Sequence, residues 1–562
     1  MELLERHFET AFAAPDGIKK LRELILTLAM QGRLVPQDPN DPPASELLKA
    51  IETEKKRMVK EGKIKDPKPL PRLSPEDVPY ALPKGWQWVR LGNVGSTNIG
   101  LTYSPSDVSE SGVPVLRSNN VQNGMLDLSD VKRVAVEVKK SVLVQEGDLL
   151  ICARNGSRAL VGKTAMIPAL PEEMAFGAFM AIFRSQINPF LLRFINSPLF
   201  RLMIDEVNTV TINQITQGNL RSTAFPLPPL PEQHRIIAKI DELMGRCDAL
   251  EKLRTERDAQ RLAVHTAAIR QLLNMTNTDG HIQAREFLSR HFGELYADKK
   301  NVAELRKAIL QLAVIGKLVP QAPNDPPASE LLKQIEAEKK RLVKAGKIKE
   351  PKQMVPVLDR EIPFRTPESW NWVRLGDLGN SQTGTTPPSN NQSNFGDHIP
   401  FIGPGDIKDG NIDYSGKGLS SSGMSIARVI EVGSLLMVCI GGSIGKQAIN
   451  ARTITCNQQI NTLTPYKPLP VRFVYWLTAT PWFQNSVLDS AGGSATPIIN
   501  KQKWSSIIMP LPPLAEQHRI VAKIDQLMSL CDALEQQIDA ARETQSAMLS
   551  VMMAQFGGQR CA

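Results

Sequence analysis

The chain has 562 residues, a formal charge of +9 and an isoelectric point near 9.1, enough length for several domains and a balance that accepts a polyanionic partner without requiring one. Its six cysteines (152, 247, 439, 456, 531 and 561) include no Cys-x-x-Cys pair, which argues against a zinc ribbon or a disulfide frame and fits thiols kept reduced. No apolar run reaches the ~18 residues of a membrane span, and the amino terminus is charged from Glu2, so the expectation is a soluble, cytoplasmic protein without a signal peptide.

A first helix is expected to end near Met30, with Leu21, Leu24, Ile25 and Leu28 on one face and Gly32 just past its end. The stretch "NDPPASELLKAIETEKKRMVKEGKIK" then reads as a charged helix, with Ser45 as its N-cap after two prolines. Pro67, Pro69, Pro71, Pro75, Pro79 and Pro83 forbid regular helix or central strand and predict an extended strap. The strap leads to "GWQWVRLG", where Trp86 and Trp88 alternate as on one strand face. From 93 to 224, short β-branched runs and turn signals predict a mixed α/β domain with a small sheet. "PLPPL" stops that domain and "EQHRI" opens a long helix. Ile236, Ile240, Leu243, Cys247 and Leu250 step by 4 and 3 along it, the spacing of a coiled-coil seam. Running from Glu232 to about Asn274, it would be ~65 Å long.

The same order of parts returns in the second half, with its matching blocks 284 residues later. The 37-residue block from Gly32 reappears from Gly316 with 30 identities, and the "PLPPL…DALE" block from Pro226 reappears from Pro510. Trp86/Trp370, Trp88/Trp372, His7/His291 and Cys247/Cys531 keep the same offset, and the second seam runs Ile520, Ile524, Leu527, Cys531, Leu534, Ile538, Ala541. So long a period means duplicated domains rather than a solenoid. The inserts 93–224 and 377–508 differ almost everywhere, yet Pro114, Gly124, Asp127, Gly147 and Gly156 match Pro400, Gly410, Asp413, Gly433 and Gly442 at an offset of 286. They are expected to share one fold and differ in their loops. The expected division is 1–85 (helical region and strap), 86–226 (first recognition domain), 227–284 (spacer helix), 285–369 (second helical region and strap), 370–510 (second recognition domain) and 511–562 (distal spacer helix).

The "LVPQDPNDPPASELL…EKKR…KEGKIK" block, the P-x-G-W-x-W-x-R-L-G entrance, the PLPPL-x-EQHRI-x-AKID exit and the doubled plan resemble, over essentially the whole chain, the specificity (S, HsdS) subunit of Type I restriction–modification systems, in its longer branch with a helical amino-terminal extension. The resemblance implies an α+β protein. Two target-recognition domains would be separated by long antiparallel coiled-coil helices in an internal pseudo-two-fold duplication. It also implies a non-catalytic subunit that binds double-stranded DNA and docks methyltransferase (M) subunits, two of them expected, with restriction/translocase (R) subunits joining that core. S-adenosylmethionine, ATP and Mg would bind those partners, leaving this chain no cofactor or metal of its own. Since the inserts differ, the two half-sites should differ, in an asymmetric bipartite target. If both heads engage one side of the duplex, their centres should lie near one helical turn apart, ~34 Å or about 10 base pairs.

Base reading needs side-chain donors and acceptors on loops that reach a groove. In the first insert the candidates are Arg117, Ser118, Asn119 and Asn120, then Arg154, Asn155, Ser157 and Arg158, then Asn213 and Gln214. In the second they are Ser443, Lys446, Asn457, Gln458 (with Gln459 beside it), Asn500 and Lys501. Such clusters are also ordinary turn residues. Gly403 stands where the first insert has Arg117, and Ile440 where it has Arg154, which argues that the domains read different bases. "GGSIGKQ" (441–447) fails the phosphate-loop pattern at Ile440 and Gln447. "DPPA" at 41–44 and 325–328 lacks the aromatic residue of amino-methyltransferases and reads as a capping turn. Glu232-Gln233-His234 and Glu516-Gln517-His518 read as helix-start polar residues rather than acid–base machinery. The basic runs 55–65 and 339–349 read first as solvated helix faces, with contact to DNA or a partner as the alternative. Two other classes stay open at this point, a self-contained DNA methyltransferase and a coiled-coil adaptor without sequence specificity.

Overall fold

The computed structural model describes residues 12–61, 69–122, 124–207, 214–273, 278–493 and 496–557; His7, Pro67, Asn213 and residues 62–65 of the first basic run lie outside them. The chain divides into two compact units, Met1–Arg257 with Ala540–Ala562, and Asp258–Asp539. The boundary expected at 284/285 falls inside a helix, Thr278–Arg290. No helix among the described residues is long and apolar enough to cross a membrane.

In the first unit a helix spans Gly17–Met30. Arg33 N–H reaches back to Leu28 O at 2.9 Å and Gly32 N–H to Ala29 O at 3.2 Å, a closure that needs the left-handed backbone of Gly32 (φ 65°). A Cβ there would come within 2.5 Å of Pro83 Cγ. The charged helix spans Ala44–Lys60 with Pro43 at its cap, so Ser45 lies inside it. The expected hydroxyl cap is unnecessary because Ala44 N–H donates to Gly85 O at 2.8 Å. Within the basic run, Lys55 is not a solvated residue. Its ammonium donates to the carbonyls of Gly92, Asn93 and Gly95 at 2.6, 2.8 and 3.2 Å, and burial, helped by nearby Arg221, lowers its pKa to about 8.

The recognition domain closes where an entry strand, Gln87–Arg90, pairs antiparallel with an exit strand, Ala224–Leu227, Gln87 facing Leu227. Between them lie a four-stranded sheet (Ser96–Ile99, Met180–Arg184, Leu149–Cys152, Thr164–Met166, in that order) and a three-stranded one (Lys132–Val134, Val108–Leu116, Ala175–Phe176). Arg90 fastens strap to domain, its guanidinium binding the carbonyls of Pro71, Arg72 and Ser222 and the carboxylate of Asp77.

The second unit repeats this plan. The entry strand Asn371–Arg374 pairs with Ile508–Leu511. The sheet order Gly379–Thr383, Ile460–Pro465, Leu435–Val438, Gln447–Ile449 copies the first. Arg374 binds Val355, Pro356, Ser506 and Glu361.

The long helices are Leu230–Leu273 and Leu514–Gly557, 44 residues each, ~66 Å at 1.5 Å per residue. Glu232 does not cap its own helix. It is buried (1% exposed), accepting from Trp86 Nε1 at 2.9 Å and Gln37 Nε2 at 2.6 Å, and burial holds its carboxyl above the usual range against the pull of those donors. Glu516 does the same with Trp370 (3.0 Å) and Gln321 (2.5 Å). His234 and His518 are exposed, apart from these carboxylates.

The stripes also find nearer partners than a second rod. Ile236, Ile240 and Cys247 are buried in one cluster with Ile25, Met30, Phe190 and Phe194, while Leu250 is 47% exposed. Ile520, Ile524, Cys531 and Ile538 are buried with Ile309, Phe473 and Phe483, with Leu527 and Leu534 packed against them. Ala541 is exposed. Ion pairs finish each seat: Arg22 with Asp248 and Glu251 (2.7 and 2.9 Å), Arg306 with Asp532 and Glu535 (2.6 and 3.4 Å).

Two outcomes are expected. Glu516→Ala strands the Trp370 and Gln321 donors and should cost on the order of 2 kcal/mol in urea denaturation; Glu516→Gln, keeping an acceptor, should cost clearly less, and equal losses would contradict the assignment. His265, fully buried and sharing a 2.9 Å hydrogen bond with Tyr296 Oη, has its pKa lowered from 6.5 by burial, with Glu304 opposing. The unfolded chain therefore takes up the proton first. The contribution is complete above about pH 6.5 and is lost as pH falls below it. His265→Leu should flatten that part of the stability profile.

Candidate nucleic-acid interface

In the first recognition domain the turn 177–179 gathers the candidate loops. Gly177 N–H donates to Leu116 O at 2.9 Å, fixing the 117–120 loop beside it, and Phe179 O accepts from Ala153 and Arg154 N–H at 2.9 and 3.0 Å. Ile215 N–H bonds Ala153 O at 2.7 Å, and Arg154 bridges to Gln214. Gly100 passes so close that a Cβ would sit 2.2 Å from Phe176 O; Gly384 does the same against Asn457 O at 2.1 Å. Three loops far apart in sequence thus share one edge, with Arg154, Ser157, Arg158 and Asn119 exposed on it and Ser118 and Gln214 half-buried.

Not every candidate is available for a base. Asn120 is 1% exposed; it accepts from Arg117 N–H at 2.9 Å and donates to Asp127 O and Asp130 O. It is the staple of its loop, and Asp406 accepts from Gly403 N–H at 2.8 Å in the same way. Arg117 lies 3.4 Å from Asp130, which also takes the Asn119 amide at 2.9 Å. Asn155 turns back to accept from Ser157 N–H at 3.0 Å.

The sequence reading missed two residues. Lys163 follows Gly162 as Lys446 follows Gly445, and both lysines use their carbonyls in the same way, accepting from Cys152 N–H and Val438 N–H at 2.8 Å; the shared Gly-Lys pair was a signal available in the sequence. Phe179 is 61% exposed, and its ring lies 5.4 Å beneath the Arg154 guanidinium. Nothing in the sequence distinguishes it from a core phenylalanine.

The second domain builds the edge from the same backbone bonds with other side chains. Asn457 N–H donates to Ile402 O (3.0 Å), Cys439 N–H to Gln459 O (2.7 Å) and Ile499 N–H to Cys439 O (2.9 Å). Gln459 therefore stands where the first domain has Phe179, and Ile440, bridged to Ile498, where it has Arg154. Asn457 and Gln459 bond each other, and Thr386 Oγ1 donates to Gln458. Lys446 is exposed on the Gly441–Lys446 turn, beside half-buried Ser443. Asn500 caps a short helix, accepting from Lys503 N–H at 2.9 Å, and Lys501 reaches Ser381 O at 3.4 Å, while both remain exposed. Among the described residues no cluster of His, Cys, Asp and Glu could hold a metal.

The sequence profile of the Type I restriction modification DNA specificity domain matches residues 83–257 and again 367–542. The chain is 34% identical to the Type I restriction enzyme EcoAI specificity subunit of Escherichia coli, covering 94% of this chain and 92% of that one. It is 32% identical to the EcoEI specificity subunit of the same species, with the same coverage. Among solved structures, the HsdS subunit from Thermoanaerobacter tengcongensis aligns with a TM-score of 0.42 at 19% identity, over 85% of this chain and 98% of that chain.

Asn120→Ala should lower stability by about 2 kcal/mol, since it strands buried partners. Asn120→Asp keeps the acceptor for Arg117 N–H but sets a carboxylate against the Asp127 and Asp130 carbonyls, so it should lose at least as much. Thermal melts of both variants decide it, and a melt unmoved by alanine would remove the staple role.

Proposed function

Because the chain belongs to the family of Type I restriction–modification specificity subunits, we propose that it is the DNA-reading scaffold of such a complex, binding a bipartite, asymmetric target through its two recognition domains. The observation that carries this reading is one backbone edge built twice and equipped differently. Arg154 and Phe179 on the first edge correspond to Ile440 and Gln459 on the second, at positions held by matching hydrogen bonds. A frame duplicated for stability alone would have no reason to diverge where the loops converge and stay constant at Trp86/Trp370, Glu232/Glu516 and Arg90/Arg374. Direct readout lives in such side chains, while positioning lives in the backbone contacts both domains share.

In this reading the two long helices, 44 residues each, supply the spacer that sets the half-site gap. The chain is not itself an enzyme; M subunits bring S-adenosylmethionine, R subunits bring ATP and Mg, and both are recruited onto this scaffold in the cytoplasm.

Replacing residues 96–221 with the corresponding insert of another family member leaves Arg90 and its Ser222 carbonyl in place. Mapping methylated adenines in cells carrying the assembled enzyme should then show one half of the motif changed and the other half and the gap retained. A single continuous motif, or a motif indifferent to the replacement, would sink the proposal.

A further inference from the structure

We propose that Arg154, held over the ring of Phe179, reads a guanine in the half-site bound by the first recognition domain; the inference rests on the function proposed above. The side chain stands where the candidate loops meet. Its own backbone is anchored on Phe179 O at 3.0 Å and bridged to Gln214, so its base is rigid while its head is exposed.

Arg117, on the adjoining loop, faces Asp130 at 3.4 Å, and elsewhere in the domain Arg133 lies 2.5 Å from Glu172 and Arg184 2.6 Å from Asp148; Arg158 shares the edge. Arg154 has no ion pair among the described residues and rests instead on an aromatic face, 5.4 Å from the ring centroid. A contact with a ring face engages the cation without using a carboxylate or carbonyl acceptor, so the N–H donors of the fork stay available to a third group. A planar fork of donors matches the O6 and N7 acceptors that guanine presents in the major groove, and no other base offers two acceptors there.

The comparison within the chain separates base reading from phosphate holding. Lys163 and Lys446 occupy the same backbone position in both domains, as a contact indifferent to sequence would. Arg154 and Phe179 are replaced by Ile440 and Gln459 although the surrounding hydrogen bonds persist. The pair is therefore not required by the fold, and it differs between the two domains.

The test maps adenine methylation in cells carrying the assembled enzyme with Arg154→Lys, Arg154→Ala, Phe179→Leu or Lys163→Ala. The wild-type first half-site should contain a guanine. Arg154→Lys, which keeps the charge but not the fork, should reduce discrimination at that one position by about 10- to 100-fold and leave the second half-site untouched. Phe179→Leu should relax the same position less, and Lys163→Ala should lower methylation evenly across all sites. A motif unchanged by Arg154→Lys and Arg154→Ala, or relaxed at a base other than guanine, overturns the inference while leaving a bipartite motif standing. Loss of the bipartite motif itself would instead be the failure of the broader reading.

Discussion

The structure hangs on a carboxylate placed in the first turn of each long helix and turned away from that helix. Glu232 accepts from the indole of Trp86 and the amide of Gln37, and Glu516 from Trp370 and Gln321. Each acceptor therefore joins three pieces: the segment after the first helix, the doorway of the recognition domain and the rod. A second tie lies alongside, Arg235 to Asp41 and Arg519 to Asp325, both at 2.6 Å. Burying a carboxylate is costly unless its lone pairs are satisfied, so the site is intolerant of change in any partner. That intolerance is the physical reason the doorway and the helix start read almost identically in both copies.

Downstream of the doorway the constraint relaxes in steps. The offset between copies is 284 at the entry strand, 286 at the 117/403 loop, 283 at the Gly162/Gly445 turn, 280 at the Gly177/Asn457 turn and 284 again at Ile215/Ile499. Residues are thus gained and lost between strands while strand pairing holds. A strand cannot slip by one residue without turning its core face outward, whereas a surface loop absorbs insertions at small entropic cost. The variation collects on the edge the loops share, and a rigid entry–exit pair keeps that edge in a fixed relation to its own helix.

Much of this frame was legible in the sequence, and the parts that were not share a cause. The duplication, Gly32 and Gly316, the doorway tryptophans and the long helices are written in local pattern. Ser45 misled because a main-chain carbonyl from Gly85 already satisfies Ala44. The stripe Ile236–Cys247 has coiled-coil spacing, but spacing does not name the partner, and helix Gly17–Met30 occupies that face. Asn120 looked like a surface amide until Asp127 and Asp130 closed around it. Phe179 carries no local signal, because exposure of an aromatic ring is a tertiary fact.

The two copies also differ at a buried position near the end of each long helix. In the second unit His265 and Tyr296 form a polar pair inside the fold; at the equivalent positions of the first unit stand Leu549 and Phe12, packed with Ala14 and Met552. Each arrangement is self-consistent and neither tolerates a member of the other. Leucine opposite Tyr296 would leave a hydroxyl unpaired, and histidine opposite Phe12 would bury an imidazole without its bond, a cost of about 1–3 kcal/mol in either case. A chain made of two near-copies faces the hazard that its helix ends seat in the wrong half. A single buried polar pair against an apolar one discriminates between the seats, much as one polar core position fixes register in a coiled coil, and it does so without disturbing the carboxylate ties on which both halves are built.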